Sequence, residues 1–170
     1  MAPDEKPVEP PKRIEDFRYD AWDSWNSFAP GASVEFEMEA GGSKMRQVKT
    51  LDSKRPDAIT VKSVMILKIG DDENRTESDE TFLKSRGGPA QCPSCKKPVS
   101  SHDPGTFSRE RLKIGDRDLD CVVWKSPARD CSGKATTPVR MWYCKDVPGG
   151  NVKTESEHWK MTATRFDPKK

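Results

Sequence analysis

No stretch of this sequence approaches the roughly 20 consecutive apolar residues that a membrane-spanning helix requires. Hydrophobic residues make up only 32% of the 170 positions, so a large enzyme core is not expected either. An excess of charge of one sign is also missing. Thirty basic and 28 acidic residues leave a net charge of +2, which points to neither nucleic acid nor a membrane surface as a partner. Histidine is scarce: His102 and His158 are the only two, and neither stands in a triad or a metalloenzyme motif. Gly87-Gly88-Pro89 lacks the Lys-Ser/Thr and the helix that would make it a phosphate loop. No nucleophile constellation stands out, and the chain reads as non-enzymatic.

What the sequence does contain is aromatic. Five Trp, six Phe and two Tyr carry large apolar area per residue and argue for a folded core. The first 13 residues hold Pro3, Pro7, Pro10 and Pro11 among charges, as an extended leader would. They carry no apolar run, so they are not a secretory signal. If a signal peptide has been removed, a periplasmic or secreted placement is expected; otherwise a cytosolic one. Residues 14–170 are expected to form a single β-rich domain with a cysteine-bearing insertion near 87–106.

From Ile14 to Phe28 the aromatics Phe17, Trp22, Trp25 and Phe28 suit one face of a short helical lid, which Pro30-Gly31 ends. The period then changes to two. Val34, Phe36 and Met38 alternate with Glu35, Glu37 and Glu39, the mark of a strand with one wet face. Gly41-Gly42 and Lys54–Asp57 read as turns, and Ile59–Ile69 as a strand near the sheet centre. The acidic run from Gly70 to Glu80 lacks the alternate acids and closing Glu of a calcium loop. It reads as a solvated loop leading to an edge strand. Further strands are expected at Phe107–Ile114, Leu119–Lys125, Val139–Lys145 and Val152–Phe166, the last with a turn inside it, and His158 reads as an ordinary sheet position. Arg109, Arg111 and Lys113 alternate among acids, as on a solvated mixed-charge face. The sum is a mainly β fold: a curved antiparallel sheet, an incomplete barrel, of about eight or nine strands under one short N-terminal helical lid. If lid and sheet pack tightly, the interior is a plain core. If they part, Trp22, Trp25, Phe28 and Phe36 would line a ligand cleft.

Two segments carry a resemblance. One is Trp25-x-x-Phe28-x-Pro30-Gly31-x-Ser33-Val34 with the Thr50-Leu51 strand. The other is Leu119-Asp120-Cys121-x-Val123, then Met141-Trp142-Tyr143 and Val147-Pro148-Gly149-Gly150-x-Val152-Lys153. Together they resemble bacterial extracytoplasmic domains of unknown function related to the lipoprotein-carrier (LolA/LolB-like) architecture. That resemblance implies a half-barrel closed by a helical lid, whose concave apolar face holds lipid acyl chains or another hydrophobic ligand.

The five cysteines are Cys92, Cys95, Cys121, Cys131 and Cys144. Cys92-Pro93-Ser94-Cys95 has the two-residue spacing that lets both sulfurs converge on one tetrahedral metal. A thioredoxin-type redox role would need a helix to follow, and Lys96-Lys97-Pro98 is poor material for one. A second CxxC is missing, so a closed zinc site would have to recruit His102, Cys121, Cys131 or Cys144. Disulfides compete with zinc. A symmetric hairpin that sets Trp124 opposite Met141 would also set Cys121 opposite Cys144, where a bridge or a shared metal is geometrically allowed. Cys131, at a loop tip, could instead reach the Cys92/Cys95 knuckle. Free buried thiols are the third alternative. Two functions follow: a binding domain for a hydrophobic ligand or a protein partner on the curved sheet, or a small zinc-stapled module built on Cys92 and Cys95.

Overall fold

Asp20 opens the one helix among the described residues. Its backbone is extended, and its carboxylate accepts the amide of Asp23 at 2.9 Å, satisfying one of the free N–H groups of the first turn. The computed structural model describes residues 19–84, 91–98 and 102–170. The Pro-rich leader, Phe17 and the Gly87-Gly88-Pro89 turn lie outside the described residues. Helix α1 (Ala21–Asn26) is short and buries Trp25.

Nine strands follow: β1 (Ser33–Ala40), β2 (Ser43–Lys54), β3 (Ala58–Ile69), β4 (Asp72–Leu83), β5 (Thr106–Ile114), β6 (Arg117–Lys125), β7 (Val139–Tyr143), β8 (Asn151–Ser156) and β9 (Trp159–Asp167). They form one antiparallel sheet in the order β4-β3-β2-β1-β9-β8-β7-β6-β5. It is mainly β, as expected, and not closed into a barrel, since β4 and β5 stand at opposite edges. Within each half, strands that are neighbours in the chain pair, β6 and β7 across the longer 126–138 loop, and β1 pairs with β9 to join the two halves.

Three expectations need correction. The acidic run is not a loop: Asp72–Leu83 is the edge strand itself, paired residue for residue with β3. Its charges suit an edge, because they discourage pairing with another chain. β3 is not central but second from the edge; β4 pairs along its length and α1 packs against it. His158 lies in the turn between β8 and β9, exposed, where the strand was expected to continue.

The dry core holds Val34, Phe36, Leu51, Ile59 and Val61 under Trp25 and Phe28. The Val147–Gly150 turn closes it from the side. Gly149 has φ +81, and a Cβ there would meet the Trp25 ring at 2.9 Å, so glycine is required. The turn amide of Gly149 donates to the Ser24 carbonyl at 3.3 Å, and Tyr19 donates its hydroxyl to the Gly149 carbonyl at 2.9 Å. Gln47 is buried among these strands because its amide finds the Ser63 hydroxyl at 2.9 Å. The opposite face of β1 is wet and laced with charge. Glu35 lies between Arg46 (2.9 Å) and Arg165 (2.8 Å), and Glu39 between Lys44 (3.3 Å) and Lys160 (3.2 Å).

Candidate metal centre

The segment between β4 and β5 forms a tight knuckle. Gln91 bridges Pro98, the Cys92 amide donates to the Lys97 carbonyl at 2.9 Å, and the Lys96 amide donates to the Cys92 carbonyl at 2.8 Å. Lys96 takes φ 58, the one left-handed non-glycine residue among those described. This backbone path aims the amides of Cys95 and Ser94 at the Cys92 sulfur. Those hydrogen bonds, Cys95 first, hold the Cys92 thiol down to about 7. Residues 93–95 are turn and the described residues 96–98 after them are not helical, unlike the helix start on which a redox CxxC stands.

Cys131 comes from the loop between β6 and β7. The Asp130 carboxylate accepts from the Ser132 hydroxyl (2.6 Å), the Ser132 amide (2.9 Å) and the Lys134 amide (3.0 Å). These bonds lower the Asp130 pKa, the Ser132 hydroxyl contributing most. Arg129 bridges Ala135 across the loop base. The loop tip is thus a small built turn that projects Cys131. His102 arrives from the third side. Its segment is pinned where the Trp124 indole donates to the Pro104 carbonyl at 2.6 Å. At Gly105 any Cβ would collide with the Lys125 carbonyl, so that close approach demands glycine.

The result is a four-donor cluster. The ligand atoms of Cys92, Cys95, His102 and Cys131 all lie within 4.8 Å of one another. Cys92 Sγ stands 3.8 Å from Cys131 Sγ, and Cys95 Sγ stands 3.0 Å from His102 Nε2. Two thiolates on a tetrahedral zinc with bonds of about 2.3 Å sit about 3.8 Å apart. The observed sulfur separation is that edge. A hydrogen bond to Cys92 pushes the Cys131 thiol up to about 11. Lys97 and Arg129 line the cavity beside the cluster together with Asp103 and Asp130, two cations balanced by two carboxylates. Four protein donors fill a tetrahedral shell, which is the pattern of a structural ion and leaves no open position for a substrate.

The other expected site residues lie elsewhere. Trp25, Phe28 and Phe36 are 2–3% exposed and packed into the core. Trp22 packs against it, with the Lys84 ammonium 5.3 Å over its ring. Cys121 and Cys144 are buried in the core, apart from the four-donor cluster.

One feature escaped sequence reasoning. The cross-strand partners Leu67, Met45, Met38, Met161, Thr154, Met141, Trp124 and Phe107 form an unbroken row over eight strands. All are partly exposed except Thr154. Met65 adds to it from β3, so every methionine after Met1 lies on this face. Met38, Met65, Met141 and Met161 stand within expected strands, but their alignment across strands is not written in spacing.

No protein-family model matches the chain, and no curated protein matches it. Solved structures do. The complex of MucA and MucB from Pseudomonas aeruginosa aligns with a TM-score of 0.49 at 11% identity, over 86% of this chain and 53% of that one. A crystal structure of MucB in complex with MucA(peri) aligns with a TM-score of 0.46 at 10% identity, over 87% and 55%. The chain thus spans about half the length of these structural neighbours.

Proposed function

We propose that this chain is a non-enzymatic binding domain whose long connections are stapled by one zinc ion on Cys92, Cys95, His102 and Cys131. The observation that carries the reading is the convergence of four soft or borderline donors from two separate connections within 4.8 Å. Zinc suits three thiolates and an imidazole better than calcium or magnesium, which prefer oxygen. The ion ties the β4–β5 connection to the β6–β7 loop, and so braces the β5–β6 hairpin from both ends. The test is hydrogen exchange with and without a chelator. Amides of 91–98 and 129–135 should lose protection when the metal is removed, while β1–β3 keep theirs. Equal exchange in both states would count against the staple.

The methionine row favours the binding half of the reading. Methionine is flexible and polarizable, and lines surfaces that accept varied apolar shapes. In this reading Trp22, Trp25 and Phe28 act as the fixed cover of one end. Phe36 marks where the dry core passes into the open row beginning at Met38. The occupant is a hydrophobic ligand or the apolar side of a protein partner.

A further inference from the structure

Five cysteines divide into three at the metal cluster and two at the β6–β7 pairing, Cys121 within β6 and Cys144 just past the end of β7. β6 and β7 pair with Val122 opposite Tyr143, Val123 opposite Trp142 and Trp124 opposite Met141. One step further along the same register stand Cys121 and Cys144. The Cys144 amide donates to the Gly150 carbonyl at 2.7 Å, so its hydrogen-bonding edge points toward β8 and away from Cys121. Cys121 and Cys144 therefore make a non-hydrogen-bonded cross-strand pair. In such a pair the Cα atoms approach to about 4.5 Å, closer than in the alternate pairs and inside the range that a disulfide spans.

We propose that Cys121 and Cys144 are a disulfide-forming pair that links β6 to β7 covalently, independent of the metal cluster. Both residues are 2% exposed, and the Cys121 thiol lies 3.9 Å from the Leu119 carbonyl. Interaction between the two side chains holds the Cys144 thiol down to about 7 and raises Cys121, so Cys144 is the attacking sulfur. The oxidant is a small-molecule or protein disulfide. The Cys144 thiolate attacks one sulfur of it, releasing the first thiolate and leaving a mixed disulfide. The Cys121 thiolate, its proton lost to solvent, then attacks Cys144 Sγ and releases the second. Two thiols have lost two protons and two electrons, and the oxidant's disulfide has become two thiols. Burial predicts that this exchange requires local opening of β7 and is slow in the folded protein.

The test is a peptide map of the full chain equilibrated with glutathione and its disulfide, then denatured with chelator and alkylated without reductant. Cys121 lies on the tryptic peptide Asp118–Lys125 and Cys144 on Met141–Lys145. The expected result is a linked pair of these two peptides, with Cys92, Cys95 and Cys131 alkylated. The linked form should melt roughly 5–10 °C above the thiol form at equal zinc. Alkylation of all five cysteines would overturn the proposal, as would a bridge from Cys121 or Cys144 to any other cysteine. Zinc measured on the same sample reports separately on the metal cluster. The Cys92→Ser/Cys95→Ser variant should lose the metal and still yield the linked pair.

Discussion

The sulfur of Cys92 lies 3.8 Å from that of Cys131, a residue 39 positions further along the chain. That separation matches a shared tetrahedral ion, and it is exposed at the surface, where burial alone would not hold two thiols together. Two small turns, each with its own hydrogen bonds, deliver the two sulfurs to one point.

Ligand substitution should expose the unequal roles of the turns. Cys131→Ser and His102→Ala should each weaken zinc binding by more than about 100-fold, beyond the loss typical of a supporting residue. Asp130→Ala, which dismantles the turn but keeps the sulfur, should cost about tenfold. Competition titration against a chromogenic chelator measures all three.

Gly149→Ala should destabilise the domain by about 2–4 kcal/mol, because it combines a left-handed backbone with a clash against Trp25. Urea denaturation measures it. A loss below about 0.5 kcal/mol would mean that the turn and helix do not pack as described.

Alkaline pH should loosen the same corner. Tyr19 stacks on Tyr143 with ring centroids 4.9 Å apart. Burial, and secondarily the Tyr19 charge, pushes Tyr143 up to about 12, and burial also raises Tyr19 above its ordinary 10.0. Unfolded phenols titrate near 10, so above that pH the unfolded state sheds protons that the folded state keeps. Stability should hold below pH of about 10 and fall as pH rises toward about 12. Urea midpoints across that window test the slope, and Tyr143→Phe should flatten it.

The methionine row should bind an environment-sensitive apolar fluorophore. Met38→Gln together with Met161→Gln should weaken that binding about tenfold, with unchanged circular dichroism. Arg111→Gln, whose side chain pairs with Asp120 at 3.2 Å, should leave it unchanged.

Much of the fold was legible because strand periodicity and turn chemistry agreed. Alternation at Val34–Glu39 and the glycine pairs placed β1 and its hairpin, and hairpin symmetry gave the β6–β7 register down to Trp124 opposite Met141. An edge strand was expected at the end of β4, but its acidic stretch up to Glu80 read as loop because exposed acidic side chains leave no apolar alternation to read. Cys92 and Cys95 were legible as a candidate ligand pair from spacing alone. That His102 and Cys131 join them depends on where the hairpin brings two loops, which spacing does not encode. The methionine row was hidden for the same reason, since it exists only across strands.

Metal content of the full chain purified without added chelator tests the account most directly. Elemental analysis should find one zinc per chain, and the Cys92→Ser/Cys131→Ser variant should hold less than about a tenth of that. A metal-free wild-type chain, still metal-free after incubation with zinc and gel filtration, would contradict it.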